Sequence, residues 1–298
     1  GTGVNIALAT YNNNWESPTV SGWAYKTTAS TGLLTSGKGY ATKRSAAGDI
    51  TFTGTMPTTD VTIAITDGLT NRFNLIGNPY PSYIPANSLA DGSNAILKIN
   101  GSTGTNQLSE DTIWFWDETT NSYTTVNSAT SARFIAPAQG FFVSSKTGGG
   151  TFSFTEAMQS HQETDFFNKT VTDRFEINLT ISDGVTSKTT AIYYIAGTTT
   201  SFDNGYDSSL FEGTPNSFAI YTQTVANNQG KKLAIQSLPD KNYKQMIIPV
   251  GINAISGKEI TFSVDATNIP SGMKVFLENR NSNTFTRLDT ANSSYTTI

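Results

Sequence analysis

Alternation with a period of two runs through most of this chain, and helical periodicity is nearly absent. In Arg174-Phe-Glu-Ile-Asn-Leu-Thr-Ile181, the residues Phe175, Ile177, Leu179 and Ile181 fall on one side. Arg174, Glu176, Asn178 and Thr180 fall on the other. A strand with one dry face and one wet face satisfies that pattern. Val61–Ile65, Thr151–Thr155 and Ile260–Val264 repeat it. Turn signals separate the runs: Asp67-Gly68, Asn100-Gly101, Asp183-Gly184 and Ser271-Gly272. Asp183-Gly184 predicts a hairpin between the flanking strands. Many short strands with frequent turns predict an all-β chain built of β-sandwiches, jelly-roll or Ig-like, rather than α/β units.

The 298 residues exceed one typical domain and predict two in tandem. The polar segment Ala157–Asp165 breaks the alternation, which resumes at Arg174. The expected boundary lies in 157–172, giving an N-terminal sandwich over 1–160 and a C-terminal sandwich over 172–298. The chain begins Gly-Thr-Gly without Met and reads as a piece of a longer protein.

Several chemistries lack their parts. There is no Cys, so neither disulfides nor thiolates contribute, and one His leaves little for a base or a zinc site. That residue, His161, sits in the polar boundary segment, with Ser160 and Glu163 too near in sequence to imply a triad. A solvated linker imidazole is the plain reading, and no catalytic residue is assigned. Carboxylate-only catalysis remains the open route, with Asp111, Asp117 and Glu118 around a Trp pair, but no spacing rule picks out such a pair. Lys and Arg are scattered at a net charge of −4, which disfavours nucleic acid. No apolar run approaches the roughly 18 residues of a membrane span. Only 14% of residues are charged; Thr, Ser, Asn and Gly fill the space, as is common in secreted β proteins.

Two binding chemistries stay in view. Asp203-Asn-Gly-Tyr-Asp207 sets Asp203 and Asp207 around a Gly, oxygen ligands of a kind calcium takes. The simpler reading is an Asx-stabilised turn, and no other cofactor is expected. Aromatic rings can stack on sugars while amides and carboxylates hold hydroxyls. Tyr11-Asn-Asn-Asn-Trp15 is loop-like and makes Tyr11 and Trp15 candidates for that role. Trp114 and Trp116 are candidates too, although their strand carries aromatic rings on both faces, which favours core packing. Trp23 reads as a core strand position.

A set of strings then carries a resemblance. Gly37-Lys-Gly-Tyr40, Ile50-Thr-Phe-Thr-Gly54, Phe73-Asn-Leu-Ile-Gly-Asn-Pro-Tyr-Pro-Ser82, Ile113-Trp-Phe-Trp116 and Ala136-Pro-Ala-Gln-Gly-Phe-Phe-Val143 occur in the first half. Phe202–Asp207, Leu233–Pro239 and Gly272–Glu278 follow in the second. Their order resembles the C-terminal β-sandwich regions of large secreted or cell-surface proteins of Bacteroidota, of the type exported by type IX secretion. The resemblance implies an extracellular or outer-surface location and dealings with that export machinery, not an activity. The pattern ends at Tyr295-Thr-Thr-Ile298 without that family's sorting domain, so no sorting signal is claimed. Gly77 is expected to permit a tight turn or a close backbone approach, and Asn78 to bond neighbouring backbone. Pro79 and Pro81 are expected to fix an extended exit.

The expected function is a non-catalytic module for adhesion, polysaccharide or cell-surface glycan binding, or display and export of an attached domain. The alternative is a polysaccharide lyase or hydrolase on a β-sandwich, using carboxylates.

Overall fold

The computed structural model describes residues 6–15, 22–26, 34–51, 53–161 and 173–298. The fold is all-β, as the alternation requires. Its helical content among the described residues is the short α1 (Ile96–Asn100) and a 3-10 turn at Glu156–Met158. No helix among them is long and apolar enough to cross a membrane. The chain divides into two compact units. Unit 1 takes Gly1–Trp116, Tyr123–Lys169 and Glu212–Pro215; unit 2 takes Asp117–Ser122, Thr170–Phe211 and Asn216–Ile298. Of these ranges, 117–122 falls in unit 2 and 212–215 in unit 1.

Unit 1 contains β1 (Ile6–Tyr11), β2 (Trp23–Tyr25), β3 (Ala41–Arg44), β4 (Val61–Ile65), β5 (Phe73–Gly77) and β6 (Ile84–Pro85). It continues with β7 (Ile113–Asp117), β8 (Ser122–Val126), β9 (Phe134–Ile135), β10 (Gly140–Ser144) and β11 (Gly150–Phe154). The central sheet runs β5-β10-β7-β8, with smaller sheets β2-β1-β3, β11-β4 and β6-β9. Ile76, Ile113, Phe115, Phe141 and Val143 of the central sheet pack on Ile65, Phe152 and Phe154 of β4 and β11. The alternation of these strands is therefore the sandwich core. Phe141 meets Phe152 and Phe154 at 6.4 Å between ring centroids.

Three of the strings that carry the resemblance meet in one place. β5 and β10 pair from Gly77↔Gly140 to Phe73↔Ser144, which joins Phe73–Ser82 to Ala136–Val143. The Gly37–Tyr40 string lies along β5: Gly39 N–H donates to Leu75 O at 3.1 Å and Gly77 N–H to Gly37 O at 3.0 Å. A Cβ on Gly39 would stand 2.6 Å from Ile76 O, whereas one on Gly77 would meet nothing nearer than 3.6 Å. The close backbone approach expected at Gly77 falls at Gly39 instead, because Gly77 lies flat in the ladder opposite another glycine.

Asn78 locks this junction from inside. Its amide donates to Ser82 O (2.8 Å), Ala136 O (3.1 Å) and Ile135 O (3.2 Å), and its Oδ1 accepts from Tyr80 N–H at 3.0 Å. Tyr80 is fully buried, and its hydroxyl donates toward Phe154 O at 2.9 Å. Burial drives its phenol up to about 12. Asn87, also fully buried, repeats the device, donating to Asn127 O and Ser131 O at 2.9 Å each. Asn100 does so between α1 and β11, donating to Ser153 O at 3.0 Å and accepting from Ser153 N–H at 2.8 Å. Each amide satisfies donors and acceptors that loop backbone would otherwise bury unpaired.

The polar boundary segment begins as part of unit 1. Met158 is buried, Ser160 N–H donates to Tyr83 O at 2.8 Å, and His161 is exposed. Glu163 and the rest of the expected boundary through 172 lie outside the described residues, as does position 52 of the Ile50–Gly54 string.

Unit 2 contains β12 (Glu176–Ser182), β13 (Ser187–Tyr194), β14 (Ser208–Ser209), β15 (Ala219–Thr222) and β16 (Leu233–Leu238). It ends with β17 (Val250–Asn253), β18 (Ile260–Thr267), β19 (Phe276–Asn279), β20 (Thr284–Arg287) and β21 (Ser294–Thr297). One sheet runs β17-β15-β16-β13-β12-β18-β21, with β14 on β16; β19 and β20 form a separate hairpin. The β12–β13 hairpin turns at Asp183-Gly184 as expected. Gly184 has φ +83°, and Asp183 Oδ1 accepts from Val185 and Thr186 N–H at 3.0 and 2.7 Å. The sheet curls so that Ile220 of β15 packs with Leu179 and Ile181 of β12, beside Ile260 and Phe262 of β18. Phe175, Ile177, Ile192, Tyr194 and Leu238 form a second cluster.

Candidate functional site

The aromatic residues of unit 1 assemble into a row on the face of the central sheet opposite the sandwich core. Tyr11 and Trp23 are direct cross-strand partners on β1 and β2, so their rings share a side. Tyr11 stands edge-on to Phe142 of β10, centroids 4.9 Å apart. Phe142 meets Tyr123 of β8 at 5.7 Å, and Tyr123 meets Trp116 of β7 at 5.1 Å. The order is Trp23–Tyr11–Phe142–Tyr123–Trp116. All contacts in it are T-shaped, the arrangement that brings a positive ring edge to a negative ring face.

Exposure along the row is uneven. Phe142 is buried at its centre, and Tyr11, Trp23 and Tyr123 are half-buried. Trp116, at the β8 end, is 48% exposed. Burial raises the phenols of Tyr11 and Tyr123, so both stay neutral hydroxyl groups near pH 7. Tyr11 also accepts the Asn71 amide at 2.9 Å and donates to Gly213 O.

The predicted ligand residues separate here. Trp114 is fully buried, 5.1 Å from Phe73 in an edge contact, and cannot serve as a platform. Its assignment as a ligand residue is corrected: β7 is an interior strand, and both of its faces are covered at that level. Trp116 lies one period further along, where the strand runs out toward its turn, so the core packing expected for the pair holds for Trp114 alone. Trp15 is half-buried rather than a free loop ring. A Cβ on Gly22 would stand 2.7 Å from its Cδ1 and 2.8 Å from Tyr11 Cε2, so both rings close over that glycine. The Trp15 indole N–H is buried without a hydrogen-bond partner.

The amides around Trp15 hold structure rather than standing free. Asn13 donates to Thr66 O at 2.9 Å, Asn14 Oδ1 accepts from Leu69 N–H at 2.8 Å, and Thr70 Oγ1 donates to Trp15 O. They fasten 12–15 to the 66–71 turn. Trp23, expected in the core, is half-buried and joins the row. The sequence reading missed Phe142 and Tyr123; only the pairing of four strands brings them to the tryptophans.

The carboxylates are turn caps. Asp111, 8% exposed, accepts from Ser102 N–H at 2.8 Å and Ser102 Oγ at 2.5 Å. Asp117 accepts from Thr119 N–H at 2.8 Å, and that donor holds its carboxyl below the usual range. The Gly148 N–H lowers Asp67, the Asn94 N–H lowers Asp91, and Lys258 leads in lowering Asp183. Glu118 is exposed. Carboxyls held low are weak bases and are not acids near pH 7.

Asp203 and Asp207 form a relay of turns. Asp203 accepts from Thr199 N–H at 2.6 Å, while its own N–H donates to Asp207 Oδ2 at 2.7 Å. Asp207 Oδ1 accepts from Ser237 N–H at 2.6 Å. Both Asp203 and Asp207 accept from the N–H four residues before them rather than from one two residues on, so these bonds are not those of the expected Asx-stabilised turn; Asp203 Oδ1 also accepts from the Thr199 hydroxyl at 3.1 Å. Among the described residues, no group of three or more His, Cys, Asp or Glu side chains gathers where it could hold a metal ion.

Asp207 is fully buried, and burial raises its carboxyl to about 7 against the pull of the Ser237 and Asp203 N–H groups. An ordinary Asp has a pKa near 3.9. The folded state therefore holds this proton more tightly, a stabilisation complete below about pH 4 and lost as pH rises through about 7, worth on the order of 4 kcal/mol. We expect hydrogen exchange at the Ser237 amide to quicken from pH 4 to 7 beyond its intrinsic pH dependence. Asp207→Asn should abolish that excess and cost about 1–3 kcal/mol at pH 4, because its NH2 faces one of the two N–H donors. An unchanged excess in the variant would contradict this assignment.

One family model, described as Domain of unknown function (DUF8693), matches residues 5–298, so the chain belongs to that family. No curated protein and no solved structure matches it.

Proposed function

We propose that this member of the family is a non-catalytic module of a secreted or cell-surface protein, holding polysaccharide at the Trp116 end of the aromatic row. The half-exposed Trp116 ring, braced edge-on by Tyr123, carries the reading. An aromatic side chain fixed before binding loses little rotamer freedom when a sugar face stacks on it. Tyr11 and Trp23 continue the row as half-buried neighbours. Two of the three carboxylates that flank Trp116 in sequence, Asp111 and Asp117, are spent on loop backbone and the Ser102 hydroxyl, which supports a role without bond cleavage. The secreted location rests on the strings that resemble type IX export regions and on a composition low in charge.

Affinity electrophoresis through gels containing neutral polysaccharides tests this. The parent chain should be retarded by at least one polysaccharide. Trp116→Ala should weaken that retardation about tenfold, near 1.4 kcal/mol, and Trp116→Phe should restore part of it. Equal retardation of parent and Trp116→Ala would remove the site.

A further inference from the structure

The β19–β20 hairpin presents a face that unit 2 leaves open. Phe276 pairs with Arg287 and Glu278 with Phe285, so these four side chains share one side. Leu277, on the other side, packs into the core of the unit. Phe276 is 52% exposed and Phe285 64%. The face is a small checkerboard: one diagonal is apolar and the other carries one negative and one positive charge.

Such a pattern is complementary to itself. A twofold axis along the Phe276–Phe285 diagonal lays the apolar diagonal of one copy on that of another. The same rotation brings each Glu278 to the other copy's Arg287, a contact made twice, as an isologous interface requires. Both groups are held ready and keep bonding capacity. Arg287 donates through Nε and Nη2 to Asp289 at 2.9 and 2.8 Å, leaving three of its five N–H donors. Arg280 Nε reaches Glu278 Oε2 at 3.3 Å, leaving the carboxylate further lone pairs. Asp289 lies behind the face, its side chain 5% exposed.

We propose that the β19–β20 face is a self-association surface through which two copies of this chain pair. Four side chains per copy make a small contact, so the dimer is of the weak, reversible class, with a dissociation constant on the order of 100 μM. The inference is independent of the glycan reading and uses the other unit.

Sedimentation equilibrium of the whole chain at about 10 μM to 1 mM, a range that brackets that constant, tests it. The parent should shift from monomer to dimer, less so at high salt. Phe276→Ser/Phe285→Ser should remain monomeric throughout. Glu278→Arg and Arg287→Glu should each weaken pairing at least tenfold when alone. Mixed in equal amounts they should pair again, because each copy then meets an opposite charge in both contacts. Circular dichroism matching the parent confirms that each variant is folded. A parent that stays monomeric at 1 mM, a dimer indifferent to the Phe changes, or a mixture no tighter than its components would overturn the proposal.

Discussion

Asn78→Asp is expected to cost unit 1 about 3–5 kcal/mol at neutral pH, much of the 5–15 kcal/mol typical of a whole domain. The two side chains have the same shape. The difference is that an NH2 group donating to Ser82, Ile135 and Ala136 carbonyls becomes an oxygen facing them. An ionised carboxylate there is buried, keeps the Tyr80 N–H as its partner and is repelled by three carbonyl acceptors. A protonated one can donate to only one of the three. Its folded-state pKa must therefore rise above the ordinary value. The penalty grows as pH rises and shrinks toward pH 4, where both folded and unfolded chains hold the proton. All four tryptophans lie in unit 1, at positions 15, 23, 114 and 116, so urea unfolding followed by their fluorescence reads this unit. The midpoint of the variant should fall sharply at pH 8 and recover part of the loss at pH 5. A midpoint equal to that of the parent at both values would mean that Asn78 does not hold the junction.

Trp114→Ala should cost a comparable amount, about 3–5 kcal/mol, as large aromatic deletions from packed cores do. Trp114 is fully buried, packs edge-on against Phe73 and is the cross-strand partner of Phe142. Removing it leaves a hole under the aromatic row that neighbouring strands cannot close without breaking their ladder. Trp116→Ala, two residues along the same strand, should cost less than about 1 kcal/mol of unfolding free energy in the same urea titration, since that residue is already half exposed. The pair is an internal control, because chemistry and strand are the same and only burial differs. Equal costs at the two positions would overturn the description of β7.

How much of this was legible beforehand depends on the range of the interaction. The strands were, because a period of two is a local property: Phe175 to Ile181 face the core of unit 2 as the alternation requires. The Asp183-Gly184 hairpin was legible for the same reason. The membership of 117–122 in unit 2 and of 212–215 in unit 1 was not, because local pattern does not say which unit a short turn belongs to. Backbone bonding by Asn78 was legible, but the burial of Asn13, Asn78, Asn87 and Asn100 was not. Nothing local distinguishes an amide that binds water from one that staples two loops 50 residues apart. The site was half legible. Trp116 was named, but so was Trp114, since a strand bearing rings on both faces does not say where its cover ends. Phe142 and Tyr123 enter the row only through the β10–β7–β8 pairing order. Strings that looked like separate turns, at 37–40, 73–82 and 136–143, proved to be one junction. That convergence gives the residues carrying the resemblance a structural task.

We propose that the chain holds polysaccharide without cutting it. The most direct measurement incubates the parent chain with a polysaccharide that retards it in gels, then assays bound protein, new reducing ends and unsaturated sugar products together. The account predicts protein retained through Trp116, with reducing ends and unsaturated products at the level of a protein-free control. Release of either product by the parent, at a rate that falls when Asp111 or Asp117 is changed to Asn, would contradict it.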